Sequence, residues 1–343
     1  MKKIIICCTV VLSLLIVGCA KTEVEQPVVK KNTITVSVSM PDQQDKSRGY
    51  ALAKNNGATP GIILSWDKTD KLKLCFEHKG KFYHKEASIK PNSITNEGKN
   101  AKFIIEIPNE IPSTEHFNLY AIYQKTDEKK ENGGHFKEKS AKYILEDHEE
   151  SCLTLSNEKN TGVIRPALKS VLKNTMADKL QHLSFQHIGW IMAVHIKNTS
   201  NVEKKMPQSF QFKYEENVST SSRIYNGVPS INPVSIDLTN DNIESLVPEK
   251  NQKTILYDFT NSPLRSKTLK AGESVIAYRW LISSKKIEVL EAILEVAENL
   301  KALELKGDSA LDEKEVDAGI VYHIPVEWSE NKINWGKYKN LFR

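Results

Sequence analysis

The stretch TITVSVSM at residues 33–40 decides how the folded part of the chain begins, because polar and apolar side chains alternate strictly along it. Its apolar members lie on one face and its Thr and Ser residues on the other; the apolar face consists of Ile34, Val36, Val38 and Met40. A period of two predicts a half-buried β-strand, and Pro41 ends it. The sequence therefore predicts a first strand that buries one face against a core.

The residues before this strand have the composition of an export signal. Two lysines precede an apolar run from Ile4 to Val17, which is short for a membrane-spanning helix. The run ends in Ile16-Val17-Gly18-Cys19, which resembles the lipobox of bacterial lipoproteins. The resemblance implies that residues 1–18 are removed and that the Cys19 thiol is acylated. An ordinary signal peptide that happens to contain Cys19 is the alternative. Residues 19–32 are mostly polar and predict a flexible tether.

Short strand-like stretches separated by turn residues recur downstream. Clear examples are KLKLCF at 71–76, NLYAIYQ at 118–124 and SVIAYRWLI at 274–282. This spacing favours an all-β sandwich architecture over alternating βαβ units. The segment from Ile287 to Leu305 fits both helical spacing and strand alternation, and its composition favours a helix.

Length and charge indicate the number of domains and the kind of partner. A chain of 343 residues is long for a single core, so two domains are expected. Lys plus Arg number 48 and Asp plus Glu number 43, which gives a net charge of +5. Because the basic residues are scattered among acidic ones, no nucleic-acid partner is expected.

The five cysteines do not amount to a disulfide framework. If the lipoprotein interpretation holds, Cys7 and Cys8 are removed with the signal and Cys19 carries the lipid, which leaves Cys75 and Cys152. Outside the cytoplasm such a pair can oxidise, and two free thiols are the alternative.

No motif of an enzyme is present. The sequence contains no HExxH, GxSxG, P-loop or GxGxxG pattern. His187 and His195 could share a hairpin face across Gly189, but no Cys or carboxylate cluster joins them. We therefore expect no metal site, no cofactor and no catalytic residues.

Four stretches, taken in order, resemble the fimbrillin family, the lipoprotein pilins of type V pili and their relatives. The first is the lipobox followed by the alternating strand and Arg48. The second is WDKTDKL at 66–72 with AKF at 101–103 and NLYAIY at 118–123, although Thr69 stands where the family usually has Gly. The third is LSFQHI at 183–188 with VHIKN at 194–198. The fourth is DAGIVYHI at 317–324, with Ile320 in place of the usual Lys.

The resemblance implies two transthyretin-like β-sandwiches in tandem, at 33–176 and 177–343. It implies a pair of strands, not a helix, from Ile287 to Leu305. It also implies assembly by strand exchange. By this resemblance an Arg-specific protease would cut at Arg48-Gly49, the first strand would leave its groove, and a strand of another subunit would replace it. Ile34, Val36, Val38 and Met40 are then the groove-filling residues. The alternative is that Arg48 is an exposed loop residue in a protein that is never cut.

The function implied is that of a pilus subunit held on the outer membrane by the lipid on Cys19 and contributing to adhesion. Its partners would be other pilus subunits and an unidentified surface receptor. The residues after Trp328 are few and polar, which favours a minor, tip or anchor position over the shaft. A glycan-binding surface lipoprotein of a nutrient-uptake system is the alternative, and it predicts exposed aromatic side chains.

Overall fold

The alternation in the sequence is realised as strands along the whole described chain. The computed structural model describes residues 32–41, 64–124, 134–145, 152–155, 160–161, 167–214, 224–226, 234–245, 254–259, 263–283, 286–298, 301–315, 318–330 and 332–335. These residues contain strands and two short 3-10 helices, Ala177–Lys179 and Pro263–Ser266, and no α-helix. Within this part of the chain no helix has the length and apolarity needed to cross a membrane. The all-β prediction is confirmed.

Twelve strands of the described residues precede Gly189. They are β1 (Thr33–Ser39), β2 (Lys71–His78), β3 (Lys81–Ile89), β4 (Asn100–Glu106), β5 (Phe117–Gln124), β6 (His135–Phe136), β7 (Lys142–Ile144), β8 (Cys152–Leu155), β9 (Asn160–Thr161), β10 (Ala167–Thr175), β11 (His182–Ser184) and β12 (Gln186–Ile188).

The remaining described strands follow Gly189. They are β13 (Trp190–Asn198), β14 (Lys204–Lys205), β15 (Ser209–Tyr214), β16 (Ile224–Asn226), β17 (Val234–Asp237), β18 (Asn242–Ser245), β19 (Thr254–Asp258), β20 (Thr268–Leu269), β21 (Ser274–Ser283), β22 (Lys286–Glu298), β23 (Lys301–Glu315), β24 (Val321–Trp328) and β25 (Ile333–Trp335).

The first sheet closes on itself. Its strand order is β11-β1-β4-β3-β2-β5-β10-β12, so β11 and β12 lie at its two ends. Only Phe185 separates these two strands in the sequence. The chain therefore passes from pairing with β1 to pairing with β10 within one residue, and the ends of the sheet meet. Phe185 is buried at this point, in the core that the sheet encloses.

Two further sheets form a β-sandwich, which is called the second sandwich because it follows the closed first sheet. One has the order β25-β24-β13-β21-β8-β9, with β16 also paired to β21, and the other has the order β19-β15-β22-β23. A small sheet, β18-β17-β7-β6, combines strands from both halves of the chain, and β14 pairs with β20.

Three hydrophobic cores hold these sheets together. The first lies inside the closed sheet and includes Leu74 and Phe103. The second lies within the second sandwich and includes Phe210 and Leu294. The third joins side chains of β2 and β5 to side chains of β13, β21 and the small sheet. Strand β13 is buried on both faces as a result, which explains its unbroken apolar run WIMAV.

Each half of the chain contributes strands to a sheet built mainly from the other half. Residues 33–343 form one compact unit. Strand β8, which precedes residue 176, pairs with β21 of the second sandwich, whereas β11 and β12, which follow it, belong to the first sheet. The division into 33–176 and 177–343 stays a prediction.

The segment from Ile287 to Leu305 forms strands, as expected. It lies in β22 and β23, which pair with each other, and β22 also pairs with β15. Leu294 and Val296 enter the second core from one face of β22. Burial against this core outweighs the helical propensity of the segment.

Candidate functional site

The first strand is the structural feature on which a function can be built. Val36 and Val38 are fully buried and Met40 nearly so, all in the core of the closed sheet, and Ile34 packs against the same core. Thr35 is exposed on the opposite face. At about 2 kcal/mol for each fully buried aliphatic side chain, Val36, Val38 and Met40 together contribute roughly 6 kcal/mol to holding the strand.

Strand β1 is paired along both of its edges. It runs antiparallel to β4, from Thr33 opposite Glu106 to Ser39 opposite Asn100. On the other edge, Ser37 to Ser39 run parallel to β11, and the amide of Ser37 donates to the carbonyl of Gln181 at 3.0 Å. Removing β1 would therefore open the closed sheet between β4 and β11. It would also expose core side chains such as Phe103 and Leu183.

The segment that contains Arg48 begins and ends at one turn. The amide of Met40 donates to the carbonyl of Lys99 at 2.9 Å, and the amide of Trp66 donates to the carbonyl of Gly98 at 2.7 Å. Arg48 and Gly49 lie outside the described residues. The two ends of their segment are thus anchored to adjacent residues of the first sheet.

Gly98 is required for this anchoring. Its φ is +86°, a conformation that glycine adopts without strain, and an added Cβ would lie 2.7 Å from the Cβ of Ser65. The close approach of these two backbones lets Trp66 reach the Gly98 carbonyl.

The return end of the segment is fixed by aromatic packing. The ring of Trp66 lies 5.1 Å from that of Phe103, 4.6 Å from that of Tyr123 and 6.0 Å from that of Phe185. The Tyr123 hydroxyl donates to Oδ2 of Asp70 at 3.0 Å, and burial together with this carboxylate raises the pKa of Tyr123. Trp66 is therefore held by side chains that lie outside β1.

The cysteines do not form the disulfide that the sequence left open. Cys75 is a free, buried thiol in the third core, and its Sγ lies 3.6 Å from the carbonyl of Ser140. Burial raises the pKa of Cys75 to about 12. Cys152 lies in another sheet, in β8 opposite Arg279. Cys19 lies outside the described residues.

The histidines are arranged differently from the expected hairpin. Gly189 connects β12 of the first sheet to β13 of the second sandwich, so His187 and His195 do not face each other. Nε2 of His195 instead lies 2.6 Å from Nδ1 of His323, a partner 128 residues away that the sequence did not suggest. Among the described residues no group of three His, Cys, Asp or Glu side chains could hold a metal ion.

His187, His195 and His323 are called the buried histidines below. Burial lowers the pKa of His187 and of His195 to about 4. Burial, together with the neighbouring His195, lowers the pKa of His323 to about 3. All three are therefore neutral at pH 7 and contribute to packing.

Comparison with known proteins gives structural neighbours and no family assignment. The sequence matches no protein-family model, and no curated protein is significantly similar to it. A candidate cell adhesion protein from Bacteroides ovatus has 10% identity and a TM-score of 0.45, over 89% of this chain and 96% of that one. A candidate cell adhesion protein from Bacteroides uniformis has 9% identity and a TM-score of 0.42, over 92% and 98%. The fimbrial anchor protein Mfa2 from Porphyromonas gingivalis has 10% identity and a TM-score of 0.33, over 85% and 90%. These values are too low to assign this chain to the family of any of the three.

Proposed function

We propose that this protein is a non-enzymatic, lipid-anchored cell-surface subunit of a fimbrillin-like pilus, which joins other subunits by exchanging its first strand. The observation that carries the proposal is the position of β1. It lies between β4 and β11 in a closed sheet, and the segment with Arg48 leaves and re-enters the sheet at Lys99 and Gly98. One cut in that segment would separate β1 from the rest of the first sheet without breaking any other strand that the structure describes.

The proposed exchange has a simple energetic basis. Hydrolysis of the Arg48-Gly49 bond would leave the contacts of Trp66 with Phe103 and Tyr123 unbroken, because none of these residues belongs to the released segment. Release of β1 would expose apolar side chains and unpaired backbone groups on β4 and β11. A strand donated by another subunit would bury the same apolar surface and satisfy the same hydrogen bonds.

We propose that this subunit lies at the base or tip of a pilus. The lipid on Cys19 holds the uncut protein to the outer membrane, and a cut after Arg48 would remove that lipid together with β1. The end of the described chain is not free to serve as a donor. Strand β25 pairs with β24, and Ile333 is buried in the second core. An adhesive role toward a surface receptor belongs to the same proposal.

Limited digestion with an Arg-specific protease tests this proposal. We expect a single early cut after Arg48, followed by loss of the N-terminal fragment and formation of ladders on gels when other subunits are present. The Arg48→Gln variant should remain intact and monomeric under the same conditions. Digestion at many sites at once, or a cleaved protein that retains β1 in the presence of a large excess of competing strand, would contradict the proposal.

A further inference from the structure

The second sandwich contains a pocket that strand exchange does not use. Strands β13 and β24 run in parallel from Ile191 and Val321 to Asn198 and Trp328, and the pocket lies at this far end. Its volume is about 440 Å³. Pockets that bind small ligands typically have volumes of roughly 300–1,000 Å³, so this one has room for a small molecule.

The loop that forms one wall of the pocket is held rigidly. Asn198 is fully buried, and its Nδ2 donates to the carbonyls of Val202 at 2.8 Å and Leu269 at 2.9 Å. Its Oδ1 accepts hydrogen bonds from the amide of Ser200 at 3.1 Å and from the hydroxyl of Ser200 at 2.6 Å. The pocket is therefore preformed, and a ligand would not have to order this loop on binding.

Basic side chains predominate at the pocket. Lys204, Lys205 and Arg265 line it together with one acidic residue, Glu203. Nζ of Lys204 lies 4.7 Å from the centre of the Trp328 ring, a cation–π contact that keeps the ammonium group at the wall. The local charge favours an anionic ligand.

An apolar surface lies beside these charges. Met206 and Val296 are buried in the pocket wall, and Val202 is 54% exposed at the pocket although most large aliphatic side chains of the described chain are covered. A ligand with both an acidic group and a C–H face would satisfy the two kinds of surface together. A metal cation would be repelled by the basic residues, and a purely apolar ligand would desolvate them without compensation.

We propose that this pocket binds an acidic saccharide, one or two sugar units carrying a carboxylate or a sulfate. The acidic group lies against Lys204, Lys205 and Arg265, which bind such groups by charge-assisted hydrogen bonds. The apolar face of the sugar ring packs on the exposed side chain of Val202. This ligand site is independent of β1 and of cleavage at Arg48.

Calorimetric titration of the uncut protein tests the inference. The probes are methyl glycosides of glucuronic acid, galacturonic acid and sialic acid, methyl galactoside 6-sulfate, and the uncharged glucoside and galactoside. We expect at least one acidic sugar to bind ten times more tightly than its uncharged counterpart, with affinity that falls as salt is raised. The carboxylated and sulfated probes distinguish the two possible acidic groups.

Variants locate the site. Combining Lys205→Gln with Arg265→Gln should weaken binding of the acidic sugar at least tenfold, and Val202→Trp should block the pocket. Lys139→Gln, at an exposed turn elsewhere, should leave affinity unchanged. The inference is overturned if no acidic sugar is preferred, if the double variant binds normally, or if a glutamate-rich peptide binds as tightly as the sugar. None of these outcomes bears on strand exchange, because the protein remains uncut.

Discussion

Shortening one core-facing side chain of β1 should accelerate the release of this strand. Val38 is fully buried in the core of the closed sheet. Val38→Ala removes two methyl groups, which costs about 1.6 kcal/mol at 0.8 kcal/mol per group, and the residual cavity raises the loss to about 2 kcal/mol. Because 1.4 kcal/mol corresponds to a factor of ten, release of β1 from the cut protein should become roughly 30-fold more favourable.

The assay is exchange with a synthetic strand. The protein is cut at Arg48, mixed with an excess of fluorescent peptide of sequence TITVSVSM, and followed by the rise in anisotropy as peptide replaces β1. Thr35→Ala is the matched control, since Thr35 lies on the exposed face of the same strand and its truncation should change stability by no more than about 0.5 kcal/mol. Equal exchange rates for Val38→Ala, Thr35→Ala and the unaltered protein would refute the reasoning.

Three further predictions concern stability and reactivity. Gly98→Ala should destabilise the protein by about 2 kcal/mol or more in urea unfolding, because the added Cβ would meet Ser65. Gly80→Ala is the control: Gly80 also has a positive φ but open space around it, so the loss of stability should be about 1 kcal/mol. Equal losses for the two variants would contradict this. The buried histidines have a pKa below the ordinary value of 6.5, so the unfolded chain binds protons at these residues before the folded protein does. Their contribution to stability is therefore full above pH 6.5 and should fall towards pH 4, by on the order of 1 kcal/mol per pH unit for each histidine. A melting temperature that does not change between pH 7 and 4.5 would exclude this. Cys75 should resist iodoacetamide at pH 8 in the folded protein and react after unfolding, as followed by mass spectrometry of its peptide, since burial raises its pKa to about 12; rapid labelling of the native protein would contradict this.

The sequence showed the buried face of a strand wherever apolar and polar residues alternate over a few consecutive positions. The alternation from Thr33 to Met40 predicted both β1 and the face that it buries. Alternation is also present from Ala292 to Val296 in β22, but helical spacing and propensity competed with it, and the expectation of strands there came from the family resemblance. In both cases one apolar face per strand was visible in the sequence, and the core that covers it imposed the strand.

The features that the sequence did not predict depend on contacts between distant residues. Closure of the first sheet at Phe185 requires that β11 pair with β1 and β12 with β10, which no local signal specifies. The pairing of His195 with His323 and the enclosure of Cys75 by the third core are of the same kind. The hydrogen bonds of Asn198 that fix the pocket loop also join distant residues. The sequence shows only that a polar residue, Asn198, ends an apolar strand.

The most direct measurement is exchange of β1 in a protein whose first strand can be locked and unlocked. Ser37 lies directly opposite Lys102 across β1 and β4, so Ser37→Cys combined with Lys102→Cys would join the two strands by a disulfide. After the cut at Arg48, we predict that the oxidised protein takes up no TITVSVSM peptide and that reduction restores uptake to the rate of the unaltered protein. Equal uptake in the oxidised and reduced states would contradict the claim that β1 is the strand that is exchanged.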